Sequence, residues 1–150
     1  MRIVLQRVSE AEVKVADSIV GKINRGYILL VGVEEEDSHE DIEWLSQKLI
    51  NMRLFNDENG KINLSINEVQ GSILSISQFT LHASIKKGNR PSFVRSANAE
   101  FAEKMYLEFN AKLESKLGKK IECGVFGADM KVQLINDGPV TIIMDSKNKE

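Results

Sequence analysis

Residues 26–33 read GYILLVGV, a nearly continuous apolar run in the first third of the chain. Such a run is typical of a strand covered on both faces, because a half-exposed strand alternates apolar and polar residues. The segments before it do alternate. Residues 2–8 (RIVLQRV) and 10–16 (EAEVKVA) predict two strands, and residues 19–23 (IVGKI) predict a third, shorter one.

Two helices are predicted further along the chain. Ser38 and Asp41, three residues apart, form a capping-box pattern ahead of an apolar helix face. Ser96 is predicted to cap a second helix, and Gly118 lies where that helix would end. The apolar face of the second helix repeats every four residues and comprises Phe101, Met105, Phe109, Leu113 and Leu117.

The remaining segments are predicted to be strands and turns. Strands are predicted over 72–79, 121–126, 131–136 and 140–145, with turns at 56–60 and 136–139. Because strands outnumber helices, the fold class predicted is α/β (α+β), with a mostly antiparallel sheet and two principal helices. No linker or repeat interrupts the chain, so we expect a single domain over 1–150 with a frayed polar tail at about 146–150.

The composition is that of an ordinary globular protein. Of 150 residues, 42% are hydrophobic and 28% charged, which excludes disorder, collagen and coiled coil as the main class. No apolar run approaches the roughly 18 residues needed to cross a bilayer, and the alternating N-terminus is unlike a signal peptide. The single cysteine, Cys123, leaves no internal disulfide, and no Cys/His cluster has metal-ligand spacing. These features favour a cytoplasmic location.

Charge is informative only locally. The formal net charge is -2, so no overall basic field indicates a nucleic-acid-binding protein. Residues 84–95 (SIKKGNRPSFVR) nevertheless carry Lys86, Lys87, Arg90 and Arg95 and no acidic residue. Such a stretch is either solvated surface or a local contact with phosphate.

Polar side chains crowd the end of a predicted strand, where residues 77–82 read SQFTLH. Thr80 and His82 are two residues apart, so a strand would place them on one face, with an imidazole near a hydroxyl nucleophile. No carboxylate neighbours His82 in sequence to orient its ring. Threonine is also a common strand residue.

A second interpretation of this segment uses its main chain. Where a strand ends, backbone N–H groups lose their ladder partners and can stabilise a developing oxyanion. Phe79 and Thr80 would then supply their N–H groups, while Ser77 and Gln78 hold the segment in shape. The residues alone leave both interpretations open.

Near the C-terminus, residues 136–141 read NDGPVT. Asp-Gly between two alternating strands favours a hairpin turn. Pro139 lacks an N–H and would spoil the first pairing of a returning strand, and a Gly-Pro bond can adopt cis and present its carbonyls as an acceptor pair. Taken alone, Arg7 is typical of an exposed edge charge, and Met130 of an ordinary apolar residue.

Three short motifs in this order resemble the D-aminoacyl-tRNA deacylases. They are QRV at 6–8, SQFTL at 77–81 and GPVT at 138–141. The resemblance covers the chain from Met1 to about Asp145, and the pairing of SQFTL with GPVT at this spacing is its most specific part. It implies a layered β/β/α fold and a homodimer with two sites at the subunit interface.

The resemblance also implies roles for individual residues, without a cofactor or metal. Ser77, Gln78, Phe79 and Thr80 of one chain line the pocket, while Gly138 and Pro139 enter it from the partner. The family's Gly-Pro bond is cis, and its carbonyls meet the substrate's α-amino group. Arg7 corresponds to an arginine that orients this motif, and Met130 to a methionine near the adenosine pocket.

The implied activity is hydrolysis of the ester of D-aminoacyl-tRNA, with the 2′-hydroxyl of the terminal adenosine assisting. An L side chain would collide with the Gly-Pro wall, so L-aminoacyl-tRNA would be rejected. Glycyl-tRNA would escape this filter and be cleaved as well. Such an activity is chiral proofreading in translation, and Lys86, Lys87 and Arg90 would contact tRNA phosphates.

Two other functions predict different behaviour. A noncatalytic module that binds tRNA or single-stranded nucleic acid, with Phe79 and Phe93 as stacking surfaces, predicts binding without ester cleavage. A small-molecule esterase using Thr80 and His82 predicts a covalent acyl-enzyme and complete loss of activity when Thr80 is replaced.

Overall fold

The structure is a computed structural model that describes residues 1–149. Over these residues the chain forms eight strands, two α-helices and one 3-10 helix. In chain order they are β1 (Arg2–Val15), β2 (Ser18–Ile23), β3 (Gly26–Gly32), α1 (His39–Asn51), β4 (Arg53–Asn56), β5 (Ile62–Ser65), β6 (Ser72–Ser77), the 3-10 helix (Phe79–His82), α2 (Ala99–Leu117), β7 (Glu122–Cys123) and β8 (Lys131–Asp145).

Six of the strands form one sheet around β1. One edge of β1 pairs antiparallel with β3 and then with β2, while β8 runs antiparallel along its other edge. Beyond β3 lie β6 and β7, both added in parallel. β4 and β5 form a separate antiparallel hairpin. The predicted α/β class with a mostly antiparallel sheet and two helices is confirmed.

Both faces of the sheet are covered, as the apolar run at 26–33 predicted. On one face Tyr27 and Leu29 pack with both helices in the larger core cluster. On the other face Ile28 packs in a smaller cluster with residues of β1, β2 and β6. A Cβ on Gly21 of β2 would lie 2.9 Å from the Cys123 carbonyl oxygen, so β2 folds back onto the far end of the sheet. This fold-back gives the layered β/β/α arrangement.

The two helices begin in different ways. The capping box of α1 is present, because the Asp41 carboxylate accepts from the Ser38 main-chain N–H at 2.8 Å. The predicted Ser96 cap of α2 is wrong: Asn98 is the N-cap, and its side chain accepts from the Phe101 N–H at 3.0 Å. α2 ends at Gly118 in the left-handed conformation, as predicted.

The strand predictions need four corrections. The predicted strands at 2–8 and 10–16 form the single strand β1. The strand predicted over 121–126 is only two residues long, and the one at 72–79 ends at Ser77. The segments 131–136 and 140–145 are both parts of β8, because both pair with β1 in the same direction.

The C-terminal tail is held further than expected. Ser146 is buried, and its N–H donates to the Met1 carbonyl at 2.9 Å. Lys147 pairs with the Asp41 carboxylate at 2.8 Å. The predicted fraying therefore does not apply to these two residues, and Glu150 lies outside the described residues. No helix within residues 1–149 is long and apolar enough to cross a membrane.

Candidate active site

The SQFT segment lies where β6 leaves the sheet. Ser77 is the last residue of β6, and the Gln78 N–H still donates to the Val31 carbonyl of β3 at 2.7 Å. The chain then turns into the 3-10 helix, so Thr80 and His82 do not share a strand face as predicted. Thr80 is exposed, and its hydroxyl oxygen accepts from Gln78 Nε2 at 2.6 Å.

Two main-chain donors open this 3-10 helix. The first N–H groups of any helix have no partner within it. Among the hydrogen bonds of residues 1–149, the N–H groups of Phe79 and Thr80 donate to no acceptor. They are consecutive groups at an exposed strand end, which is the arrangement that an oxyanion requires.

The SQFT segment is held in shape by the chain that follows it, which returns and forms a hydrogen bond to it. Ser96 Oγ donates to the Phe79 carbonyl at 2.9 Å. The same stretch is tied to the end of β3, where the Ala97 N–H donates to the Val33 carbonyl at 3.0 Å. Sequence analysis assigned Ser96 to a helix cap and missed this contact, since no local pattern shows which distant carbonyl a serine meets.

His82 faces the interior. Within residues 1–149, its ring forms no hydrogen bond with the Thr80 hydroxyl. The side chain is only 1% exposed, and its Nδ1 lies 4.0 Å from Glu34 Oε2. Burial lowers the pKa of His82, while the Gly32 carbonyl and the Glu34 carboxylate act in the opposite direction. Glu34 also pairs with Arg95 at 2.9 Å. A buried imidazole of lowered pKa suits a structural role under the 3-10 helix.

A cavity of about 540 Å³ opens beside the SQFT segment. Ser77, Gln78 and Phe79 form one wall and Met130 lies on another, while Thr80 is not among the lining residues. The site roles that the resemblance implies for these residues stay predictions. The floor comes from β3 and α2, where the buried Tyr106 hydroxyl donates to the Ser75 carbonyl at 2.7 Å. Burial raises the pKa of Tyr106 to about 12, so this hydroxyl stays protonated and serves as a fixed structural donor.

Gly138 and Pro139 form a bulge on β8. Gln6 pairs with Thr141 and Val8 pairs with Asn136, so residues 137–140 stand opposite Arg7 alone. The chain keeps its direction through this segment, which excludes the hairpin turn that Asp-Gly favoured. The Gly138-Pro139 peptide bond is cis. The bulge contacts the Arg7 side chain, since a Cβ on Gly138 would lie 3.0 Å from Arg7 Nη2.

Two polar side chains fix the bulge from within. Arg7 is buried, and its Nε donates to the Asp137 carbonyl at 2.8 Å while Nη1 donates to the Leu54 carbonyl at 2.5 Å. Asn136 closes the bulge, since its Oδ1 accepts from the Val140 N–H at 2.8 Å. The expected exposed edge position of Arg7 is wrong. The role of Asn136 was missed, although an Asx residue before a turn is a usable signal.

One chain does not bring the two motifs together. Met130 and the SQF residues share the cavity, whereas Arg7, Gly138 and Pro139 do not line it. β1 and β3 separate β8 from β6 in the sheet, and neighbouring strands are about 4.8 Å apart. The bulge therefore lies outside the cavity of its own protomer.

The cationic residues lie on what we call the basic hairpin, residues 84–92. Ser84 and Ser92 close it with two reciprocal main-chain hydrogen bonds of 2.8 and 2.9 Å. Lys86, Lys87 and Arg90 occupy the exposed loop between them. Among the ion pairs of residues 1–149, none involves these three side chains.

Comparisons with solved structures define the class of fold. A structure titled "c-Myc DNA Unwinding Element Binding Protein" superposes with a TM-score of 0.92 at 39% identity, over 97% of this chain and 98% of the other. A probable eukaryotic D-amino acid tRNA deacylase superposes with a TM-score of 0.83 at 18% identity, over 95% and 97%. The fold is thus one that a probable D-amino acid tRNA deacylase also adopts.

Sequence comparison then gives the family. The profile of the D-Tyr-tRNA(Tyr) deacylase family matches residues 4–145. Proteins named D-aminoacyl-tRNA deacylase from Flavobacterium psychrophilum and Bacteroides thetaiotaomicron are 55% and 56% identical, each over 100% of both chains. The chain belongs to the D-Tyr-tRNA(Tyr) deacylase family, as its motifs predicted.

Proposed function

We propose that this protein hydrolyses the ester bond of D-aminoacyl-tRNA, releasing the D-amino acid and free tRNA. Family membership over residues 4–145 supports the reaction class. The observation that carries the mechanism is the pair of unbonded main-chain N–H groups at Phe79 and Thr80, beside a cavity of about 540 Å³. The proposed biological role is chiral proofreading in translation, in the cytoplasm.

The proposed reaction does not require a side-chain nucleophile. An aminoacyl ester is already activated, so positioning and oxyanion stabilisation account for most of the rate. The two N–H groups bind the carbonyl oxygen as it becomes negative, while the 2′-hydroxyl of the terminal adenosine assists water. Thr80 acts through its main chain, and its hydroxyl is occupied by Gln78. The cavity beside Met130 takes the adenosine.

The acting unit in this proposal is a homodimer. Its support is that the Gly-Pro bulge of β8 lies outside the cavity of its own chain. β8 also exposes large apolar side chains, with Ile143 71% and Ile135 53% exposed. An open, apolar edge strand favours association with another chain. A second protomer would bring its bulge to the SQFT segment.

Substrate selection is proposed to depend on the main-chain carbonyls of the bulge. The register gives Gly138 and Pro139 no partner on β1, so their carbonyls are available to hold the substrate's ammonium group. With the ammonium held there, an L side chain points at the bulge and a D side chain points away from it. Glycyl-tRNA carries no side chain and is therefore cleaved as well. Lys86, Lys87 and Arg90 meet the phosphates of the acceptor end, which carry no sequence information.

The experiment is deacylation of matched D-Tyr-tRNA, L-Tyr-tRNA and Gly-tRNA by the purified protein, with and without chelator. We expect loss of the D-tyrosyl and glycyl esters, survival of the L-tyrosyl ester, and no effect of chelator. Binding of tRNA with all three esters intact would instead support the noncatalytic nucleic-acid-binding module.

A further inference from the structure

Two aromatic rings at the mouth of the cavity have no part in the mechanism above. The side chains of Phe79 and Phe93 are 56% and 38% exposed. Their ring centroids lie 5.0 Å apart, with the ring planes at 66°. Phe79 forms part of the cavity wall, and Phe93 follows directly after the basic hairpin. The pair therefore connects the proposed adenosine cavity to the cationic loop.

The surroundings hold this aromatic pair in place. The Phe79 carbonyl accepts from Ser96 Oγ at 2.9 Å, and Ser96 lies three residues after Phe93. The Ser96 N–H in turn donates to the Phe93 carbonyl at 2.9 Å. Both rings are thus carried by backbone segments that are bonded to each other. Aromatic rings fixed in this way lose little conformational entropy on binding.

The chemistry of the patch matches single-stranded nucleic acid. Exposed aromatic rings stack on bases of any sequence, and cations beside them neutralise the phosphates. The three cations of the basic hairpin have no carboxylate partner among the ion pairs of residues 1–149, so they remain available to phosphate.

We propose that Phe79 and Phe93 form a stacking platform for the unpaired base that precedes the terminal adenosine of the aminoacyl-tRNA. The phosphates of the same strand then pass along the basic hairpin. This inference rests on the proposed function and adds a second nucleotide to it. Stacking of this kind depends on the face of the base and not on its hydrogen-bonding edge.

The test compares two substrates that differ in this nucleotide. D-Tyr-tRNA contains the preceding base and its phosphates, whereas D-tyrosyl-adenosine ends at the terminal nucleoside. Phe93→Ala should lower kcat/KM for the tRNA about 5- to 100-fold more than for D-tyrosyl-adenosine, chiefly through KM. Phe93→Trp, which keeps a stacking face, should restore the tRNA value. Val94→Ala is the matched control, since Val94 follows Phe93 in a turn, is 89% exposed and makes no ring contact.

Each outcome bears on the inference. An equal loss on both substrates would overturn it and make Phe93 a support of the catalytic segment. An unchanged tRNA value, or failure of Phe93→Trp to restore it, would overturn it as well and leave the patch to a protein partner. If the wild-type protein cleaved D-tyrosyl-adenosine but Phe93→Ala showed no difference, only the platform would fail. If the wild-type protein cleaved neither substrate, the proposed function itself would fail, and the platform with it.

Discussion

At the scale of single residues, Thr80 offers two different groups to a reaction. Its hydroxyl oxygen accepts from Gln78 Nε2 at 2.6 Å, while its N–H has no acceptor among residues 1–149. The account assigns catalysis to the N–H. The esterase alternative assigns it to the hydroxyl with His82 as base, and the burial of His82 argues against that pairing.

Two substitutions at this position separate the groups. Thr80→Ala removes the hydroxyl and should cost roughly tenfold at most in kcat/KM on D-Tyr-tRNA, the value of one ordinary hydrogen bond. Thr80→Pro removes the N–H at a position in the first turn where proline is tolerated, and should cost about 10²- to 10³-fold. Complete inactivity of Thr80→Ala, or an acyl-enzyme trapped on wild-type Thr80, would contradict the main-chain mechanism.

Gly138 occupies a position that has no room for a Cβ atom. Its φ is +145, and a Cβ there would lie 2.8 Å from Val140 Cγ2 and 3.0 Å from Arg7 Nη2. Gly138→Ala should therefore move the bulge away from Arg7 and lower kcat/KM on D-Tyr-tRNA by about 10- to 100-fold, because small displacements of a positioning group are costly.

The control for this variant is a substitution at another glycine that also has a positive φ but lies away from the bulge. Gly118→Ala, at φ +74 and with nothing within 4 Å of the added Cβ, should lower the unfolding midpoint by thermal denaturation without lowering activity. If both variants lost activity equally, the loss in Gly138→Ala would not be evidence that the bulge positions the substrate.

At the scale of elements, His82 links the 3-10 helix to the sheet and makes its stability depend on pH. Burial lowers the pKa of His82 in the folded state below its ordinary value of about 6.5. The unfolded chain therefore binds the proton more readily. Stability is complete above about pH 6.5 and is lost as the pH falls from there toward the folded-state pKa.

The pH dependence of stability is measured by urea unfolding of the wild-type protein and of His82→Gln at several pH values. The wild-type unfolding free energy should fall between pH 7.5 and 5.5, and the variant should show a smaller fall over that range. A wild-type free energy that rises as the pH falls from 7.5 to 5.5 would mean that His82 gains a proton on folding, opposite to the assigned shift.

The elements also show how far sequence patterns reach. The apolar run at 26–33, the capping box at Ser38 and the four-residue repeat of α2 are local signals, and all three predicted their elements correctly. The Gly-Pro segment was misread as a hairpin because its conformation depends on β1. Only the long β1 edge, which accepts both halves of β8 in one direction, turns that segment into a bulge.

The site was predicted less completely than the fold. The family resemblance assigned the SQFT segment, Gly138, Pro139 and Met130 to the site, and this assignment stays a prediction. Composition and periodicity alone would not have joined them. The bond from Ser96 to the Phe79 carbonyl spans 17 positions in the chain and has no sequence signature. Long-range polar contacts of this kind depend on the tertiary fold rather than on local pattern.

At the scale of the whole molecule, the chain places its two motifs where they cannot meet. Ser77, Gln78 and Phe79 line the cavity beside β6, whereas the Gly-Pro bulge lies on β8 outside that cavity. A homodimer with two-fold symmetry resolves this, since each contact between the subunits then occurs twice. The central claim is therefore that one protomer's Phe79 and Thr80 act with the other's Gly138 and Pro139.

Complementation between two variants of strongly reduced activity tests that claim most directly. Thr80→Pro and Gly138→Ala are each purified, then dissociated, mixed in equal amounts and reassociated, and the deacylation of D-Tyr-tRNA is measured. Random pairing makes half of the dimers mixed, and one of the two sites in each mixed dimer is intact. The account predicts recovery of about one quarter of wild-type activity. A mixture no more active than its components, with subunit exchange verified, would contradict a site shared between protomers.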